Sequence, residues 1–264
     1  MTVQHTSFFD YGFSAGALVD IGVERSSNQD EVIVCPEAGF YAVSDGMGGL
    51  LNGGETSQMI KQTLPNRMKA ALKELSKDSS PEFAAELLKK QICVMSDTLY
   101  DTCNQGNWFN FGATLSGIWL IGRHAIFVNI GDSRGYLLPR YKKTIQQITN
   151  DHNVAALLVQ QGEITKEEAR FHPASSSLMR FVGMNKPAIP DVFIYEVHPG
   201  DRILLCSDGL YGMVSDSILP SIMRSTANPT RVCEQLVENA NANGGKDNIS
   251  VVYLKIKTPE SDTP

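Results

Sequence analysis

Short apolar blocks, cut by polar links, run through most of this chain. Residues 17–23 read as a strand, 24–29 as a polar link, and Asp30 opens a second strand over 31–35. Residues 36–39 mark a turn, and 40–44 form a third apolar run. Strands joined by such short links predict antiparallel pairing. From Glu55 to about Leu75 the composition is helical, with Pro65 expected to kink or split the helix. Ser80 and Pro81 supply an N-cap and a proline at the first helical position. Ala84, Leu88, Ile92, Met95 and Leu99 then fall on one apolar stripe, which reads as core packing.

The second half continues the pattern. Residues 111–121 and 124–131 predict a hairpin turning at Gly122 and Arg123, and 135–138 with 144–148 another around Pro139. Residues 151–161 read as a helix closed by Gly162, and Thr165 with Glu168 forms a capping box that opens a short helix. Residues 171–190 are irregular, and a loop of that length inside a compact domain reads as functional or mobile rather than idle. A strand over 192–197, a turn at 199–201 and a strand over 202–207 follow. Helices over 215–224 and 229–240, a last strand over 248–256 and a polar tail from Lys257 complete the chain. With no internal repeat and no linker, this order predicts antiparallel sheets packed face to face, with helix pairs outside.

Composition narrows the classes. The 264 residues are 42% hydrophobic and 20% charged, with a net charge of −6, which suits one domain with an ample core. No apolar run is long enough to span a membrane, and residues 1–16 lack the basic start and apolar stretch of a secretory signal. Mild acidity without a run of Lys and Arg argues against a nucleic-acid surface. The five cysteines are scattered, with no C-x-x-C pair, which suits a reducing cytoplasm rather than disulfides or a zinc knuckle. Cys35 and Cys206 sit in apolar runs and read as buried structural thiols.

Aspartates at the strand tips carry the candidate chemistry. Asp45, Asp132 and Asp208 follow apolar strands, and Asp30 and Asp247 precede them. In an antiparallel sheet the end of one strand lies beside the start of its neighbour, so these residues can gather on one rim. Each alone reads as a turn or cap residue. Together, partly buried carboxylates repel each other, and either basic residues or cations must neutralise them. The nearby bases are Arg25, Arg134 and Lys246. Hard, anionic oxygen donors suit Mg2+ or Mn2+ rather than zinc or copper. Two such ions sharing Asp45 would hold a water between them and make it a hydroxide. The glycines after Asp45 let the backbone turn tightly there and approach a ligand closely.

The spelling of these tips adds a family. Arg25-Ser-Ser-Asn-Gln-Asp30, Ser44-Asp45-Gly46-Met47-Gly48-Gly49, Phe111-Gly-Ala-Thr114-Leu115, Gly131-Asp132-Ser133-Arg134, Thr149-Asn150-Asp151-His152, Leu205-Cys-Ser-Asp208-Gly209-Leu210 and Lys246-Asp247-Asn248-Ile249-Ser250 occur in order. This set resembles the metal-dependent protein phosphatases, the type 2C or PPM family, in its bacterial form, over about residues 16–256. The resemblance implies an α+β fold, a four-layer αββα sandwich of two antiparallel β-sheets flanked by pairs of antiparallel helices. It implies one domain over 1–264, with a flap subdomain at about 153–183 and a polar tail at 257–264.

It also implies roles. Asp45 would bridge two Mn2+ or Mg2+ ions, with the Gly46 carbonyl on one and Asp208 and Asp247 on the other. Asp132 with Asp208 matches the acidic pair that holds a third ion in bacterial members. Asp30 would orient waters, and Arg25 would grip the phosphate. Thr114 and Asn248 would brace the site, and Asp151 with His152 would form a hydrogen-bonding pair or take a chemical role. The implied reaction is hydrolysis of phosphoserine and phosphothreonine by metal-bridged hydroxide, with no covalent phosphoenzyme. Phosphorylated proteins would be the substrates and a cognate serine/threonine kinase the partner, for a cytoplasmic monomer that binds neither nucleic acid nor membrane.

Two positions depart from the family. Met47 stands where many eukaryotic relatives carry a histidine, and where bacterial relatives read Gly-Gly-His after the methionine, here Gly48-Gly49 is followed by Leu50-Leu51-Asn52-Gly53-Gly54-Glu55. The loop is rewritten, yet no implied metal ligand is lost. A catalytically silent scaffold of the same fold, binding phosphoproteins or a kinase, is the alternative, and intact Arg25, Asp45, Asp208 and Asp247 speak against it. A dedicated stress- or sporulation-type switch phosphatase is a third reading, which the Arg25–Asp30 motif and the flap-like insert disfavour. A cysteine phosphatase is disfavoured separately, because no cysteine is followed six positions later by arginine.

Overall fold

The apolar runs become two five-stranded antiparallel sheets. The computed structural model describes residues 8–47, 53–106, 111–185 and 187–257. One sheet orders β1 (Gly12–Asp20), β10 (Ile249–Lys257), β9 (Arg202–Cys206), β6 (Arg134–Leu138) and β7 (Gln146–Gln147). The other orders β2 (Asp30–Cys35), β3 (Phe40–Asp45), β4 (Leu115–Ile121), β5 (His124–Ile130) and β8 (Asp191–Glu196). Helices α1 (Gly53–Leu72) and α2 (Pro81–Gln105) cover the β3 sheet. Helices α3 (Val154–Gln160) and α4 (Lys166–Ala169) follow β7. Helices α5 (Asp208–Tyr211), α6 (Leu219–Arg224) and α7 (Pro229–Ala242) cover the β10 sheet.

Three layers of core explain the near-continuous apolar strands. Phe13, Tyr41, Ile118, Phe127, Leu205 and Val252 pack between the sheets. Trp119, Ile126, Ile60 and Leu88 fill the layer under α1 and α2, while Tyr136, Tyr253 and Leu236 fill the layer under α7. With both faces covered, β4 is buried at every position, so it loses the alternation a half-exposed strand would show. Buried Trp119 donates its indole N–H to the Ala38 carbonyl at 2.8 Å, so its polar edge is not stranded.

Several elements differ from the sequence pattern at their ends. The first strand starts earlier, at Gly12, and stops at Asp20, whose carboxylate accepts the Gly22 N–H at 2.8 Å. Gly22 is left-handed (φ 80°), so residues 21–23 turn away from the sheet. Pro65 does not split α1, because buried Leu64 and Met68 beside it hold the helix on the sheet across the missing hydrogen bond. The α2 stripe packs as its spacing predicts, with Ala84, Leu88, Ile92, Met95 and Leu99 all buried, and Ser80 caps it by accepting the Phe83 N–H. Helix α3 begins only after Asn153, whose side chain accepts the Ala156 N–H at 2.9 Å, leaving Asp151 and His152 outside it. The turn of helix directly after β9, α5, was not anticipated, and the following helix starts only at Leu219.

Gly16 is the point where α7 sits down on β1. A Cβ there would come within 2.6 Å of the Pro229 carbonyl carbon. Gly16→Ala is therefore expected to destabilise the chain by about 1–3 kcal/mol through forced separation of helix and strand. Urea unfolding reads this directly, and an unchanged midpoint would mean that α7 is not seated there.

Candidate active site

Strand register gathers the aspartates. Asp30 and Asp45 are direct cross-strand partners of β2 and β3. On the other sheet Cys206 pairs with Val251 of β10 and with Arg134 of β6. That register sets Asp208 after β9, Asp247 before β10 and Asp132 before β6 at the same end. The two sheets face each other here, and Asp45 feels the charges of Asp30, Asp208, Asp132 and Asp247.

Burial and mutual repulsion make these carboxyls reluctant to ionise. Burial pushes Asp30 up to about 7, against the hydrogen bond from the Ser207 hydroxyl at 2.6 Å. Asp132 rises to about 8, through burial and then the charge of Asp208. Asp208 rises to about 6, through burial and then Asp247. Asp45 lies well above the ordinary carboxylate range, again first through burial. The Oδ1 of Asp208 is buried and has no hydrogen-bond partner.

Of the three nearby bases, only Arg25 is paired with a rim carboxylate. Its Nη2 donates to Asp247 Oδ2 at 2.7 Å, and its side chain remains 44% exposed. Arg134 is spent elsewhere: Nε and Nη2 grip Asp151, with the shortest contact 2.7 Å, and its guanidinium lies 3.6 Å over the Tyr211 ring. Lys246 is exposed and has no carboxylate partner among the described residues. The rim is therefore under-compensated, and hard cations with oxygen affinity suit its donor chemistry. Among the described residues no three acidic, histidine or cysteine side chains are already drawn into a ready cage.

The bracing residues act through backbone. Thr114 accepts the Asp45 N–H with its hydroxyl at 3.1 Å, and that hydroxyl shares a 2.6 Å hydrogen bond with Ser133. Asn248 accepts the Gln29 N–H at 2.9 Å and donates to the carbonyls of Ile21 and Ser27, stitching the loop that bears Arg25 to the head of β10. Gly46 donates its N–H to the Gln29 carbonyl at 3.0 Å, and a Cβ there would lie 2.3 Å from the Gly53 oxygen. Residues 50–52 of the rewritten loop lie outside the described residues, and α1 begins at Gly53.

Asp151 and His152 do not bond to each other. Asp151 holds Arg134, while His152 accepts the Gly131 N–H on Nδ1 at 3.2 Å and so presents Nε2–H to Asp191 at 3.1 Å. Asp191 is held well below the usual carboxylate range, first by that bond and then by Arg180. Three contributors escaped the sequence reading. Ser207 holds Asp30, Asn153 Nδ2 reaches Asp132 Oδ2 at 3.4 Å, and the Tyr211 hydroxyl donates to the Asp132 carbonyl at 3.1 Å. The repeated Ser-Asp-Gly at 44–46 and 207–209 was the available signal for Ser207. Nothing local marks the other two.

The protein phosphatase 2C family model matches residues 23–244. A serine/threonine phosphatase stp of Listeria welshimeri serovar 6b is 31% identical over 235 residues, covering 88% of this chain and 86% of that protein. Among solved structures, serine/threonine phosphatase Stp1 from Staphylococcus aureus superposes with a TM-score of 0.83 at 26% identity, covering 97% of this chain and 98% of that one. The catalytic domain of the serine/threonine protein phosphatase PstP, solved with two manganese ions, gives 0.76 at 31% identity over 93% of this chain and 98% of that one. The chain belongs to the protein phosphatase 2C family and is a serine/threonine protein phosphatase.

Proposed function

We propose that the aspartate rim is a divalent-metal centre at which phosphoserine and phosphothreonine esters of proteins are hydrolysed. The observation that carries this is the set of desolvated, like-charged carboxyls with an unpartnered buried oxygen on Asp208. Asp45 and the Gly46 carbonyl would hold one Mn2+ or Mg2+, Asp45 with Asp208 and Asp247 a second, and Asp132 with Asp208 a third. When bound, these ions supply positive charge for a phosphoryl group and lower the pKa of water at the rim. The two manganese ions in the PstP structure support the reading.

The chain's own groups then have distinct tasks. Arg25 offers a planar, permanently charged fork, and its exposed outer edge can take two phosphate oxygens while Asp247 fixes the inner one. Asp30, pinned by Ser207 and facing Asp45, orients waters rather than touching phosphorus. Thr114 and Asn248 keep Asp45 and the Arg25 loop in place. Residues 153–183, with α3 and α4, form a flap beside Asp132 and shape substrate choice, and the chain acts as one domain and as a monomer. A cognate serine/threonine kinase is the partner this implies. A silent scaffold would have no use for a rim that costs this much to keep folded. Among the described residues no helix is long and apolar enough to cross a membrane.

Three measurements test the centre. Hydrolysis of a phosphothreonine peptide should require Mn2+ or Mg2+ and fall by at least ~100-fold in kcat for Asp208→Ala. Turnover without metal, or equal turnover in both proteins, would sink the reading. Arg25→Ala should lower kcat/KM by about 10- to 100-fold while leaving the metal requirement intact, and a changed metal requirement would contradict its phosphate role.

The third measurement is of stability without metal. Asp30, Asp132 and Asp208 hold their protons in the fold up to about 7, 8 and 6, against an ordinary value of 3.8 in the unfolded chain. The fold therefore binds more protons than the unfolded chain between these limits, and stability falls as pH rises through them. In EDTA the urea midpoint should drop from about pH 5 to about pH 8, and Mn2+ at the upper end should restore it. A midpoint that rises with pH in EDTA would show that the carboxyls are not strained.

A further inference from the structure

The end of the sandwich opposite the aspartate rim carries a concentration of positive charge. Arg140, Arg202, Lys255 and Lys257, with Pro199 and Gly200, line a concavity of about 560 Å³. Strand β9 begins at Arg202 and ends just before Asp208, a run of six residues or roughly 20 Å. The sequence shows no such cluster, because its members come from three separate segments.

The strand register makes this arrangement costly. Arg202 and Lys255 are direct cross-strand partners of β9 and β10. They continue the face that Leu204 and Tyr253 present to the helix-side core, so both side chains leave the same side of the sheet. Like charges directly opposite each other destabilise a sheet. Burial and then the charges of Arg202 and Lys257 pull the Lys255 ammonium below its ordinary value. The adjacent carboxylate does not relieve them. Asp201 is buried and accepts the backbone N–H groups of Arg140 at 2.8 Å and His198 at 2.9 Å. Among the described residues none of the four cations is in an ion pair with a carboxylate. The Nε of Arg202 is buried without a partner, and the Arg140 side chain lies across Gly200, where a Cβ would come within 2.5 Å of its Cδ. Arg224 adds a further charge nearby, with its Nη2 on the carbonyls of Pro139, Arg140 and Lys142.

A chain of net charge −6 gains no stability by facing its cations together. The concavity falls within the range of small-molecule sites, about 300–1,000 Å³. We propose that it binds a small molecule bearing a diphosphate group, either pyrophosphate or the diphosphate of a nucleotide, at a site separate from the catalytic rim. The Arg140 guanidinium fork can take phosphate oxygens in pairs, while Arg202, whose Nη1 donates to the Gly200 carbonyl at 2.9 Å, adds charge beside Lys255 and Lys257. Binding then removes the repulsion between the two facing strands.

Titration calorimetry on the full chain in EDTA tests this, because without metal the rim offers no metal ion to draw an anionic probe. Pyrophosphate and ADP are the probes. Saturable binding in the low-millimolar range or tighter is expected, weakening as NaCl is raised. Arg202→Gln with Lys255→Gln should weaken it about tenfold or more. That pair removes facing charges, so its urea midpoint at low salt should hold or rise, and Arg140→Gln serves as a second variant that leaves the strands untouched. Tighter ADP than pyrophosphate assigns a nucleotide and equal affinities assign the bare diphosphate, and either outcome carries the proposal. No saturable binding of either probe overturns it. So does binding that is unchanged in these variants and lost in Arg25→Ala, since the anion then sits at the catalytic rim.

Discussion

Like-charged carboxyls crowded at one end of a sandwich are the constraint on which most of this structure turns. Asp30 and Asp45 come from one sheet, and Asp132, Asp208 and Asp247 from the other, so the inter-sheet core sets their separation. Phe13, Tyr41, Phe127 and Val252 fill that space completely, and a packed apolar layer does not yield to the repulsion at its rim. The energy the carboxyls cost is therefore held by hydrophobic packing rather than relieved by spreading. Arg25 pairs directly with Asp247 and offsets the charge of Asp208 and Asp45 only at longer range.

The loops around the rim are held by backbone contacts too tight for side chains. Gly46 lies between the Gln29 and Gly53 backbones, and a Cβ on Gly209 would reach within 2.0 Å of the Asn248 oxygen. Glycine follows both Asp45 and Asp208 because the chain passes directly against a neighbouring segment there, and neither glycine needs a positive φ. The serine before each aspartate has the complementary task. Ser44 donates its hydroxyl to the Thr114 carbonyl and Ser207 to Asp30, so each Ser-Asp-Gly ties one sheet to an adjacent strand or to the other sheet. The turn thus serves placement of the carboxylate, with the flanking residues fixing its direction.

Much of this was legible before any coordinates. Strands buried on both faces announce themselves as apolar runs, so the second, third and last strands fell within a residue or two of their observed bounds. The aspartate rim followed from antiparallel pairing alone, and register bears out that convergence. Illegible were features decided by single tertiary bonds. Arg134 looked like a counter-charge for the rim, but its guanidinium matches Asp151 and the Tyr211 face, a pairing across 17 and 77 positions that no local pattern encodes. Helix α3 starts after residues 151–153 because Asn153 caps it, and Pro65 is tolerated because packing outweighs one lost hydrogen bond.

Charge separation along the sheet bears on both ends at once. The rim has more carboxyls than cations, the far concavity has no carboxylate paired with its cations among the described residues, and an obvious thought is that each compensates the other through the protein. The distance decides against it. Roughly 20 Å of strand separates Arg202 from Asp208, while screening between exposed charges sets in over about 8–10 Å at ordinary ionic strength. Arg25 feels Asp247, Asp208 and Asp45, while among the described residues Lys255 feels Arg202 and Lys257, so each cluster is electrostatically local. Two locally unbalanced charge clusters therefore stand at opposite ends of β9 and β10, carboxyls at one end and guanidinium and ammonium groups at the other.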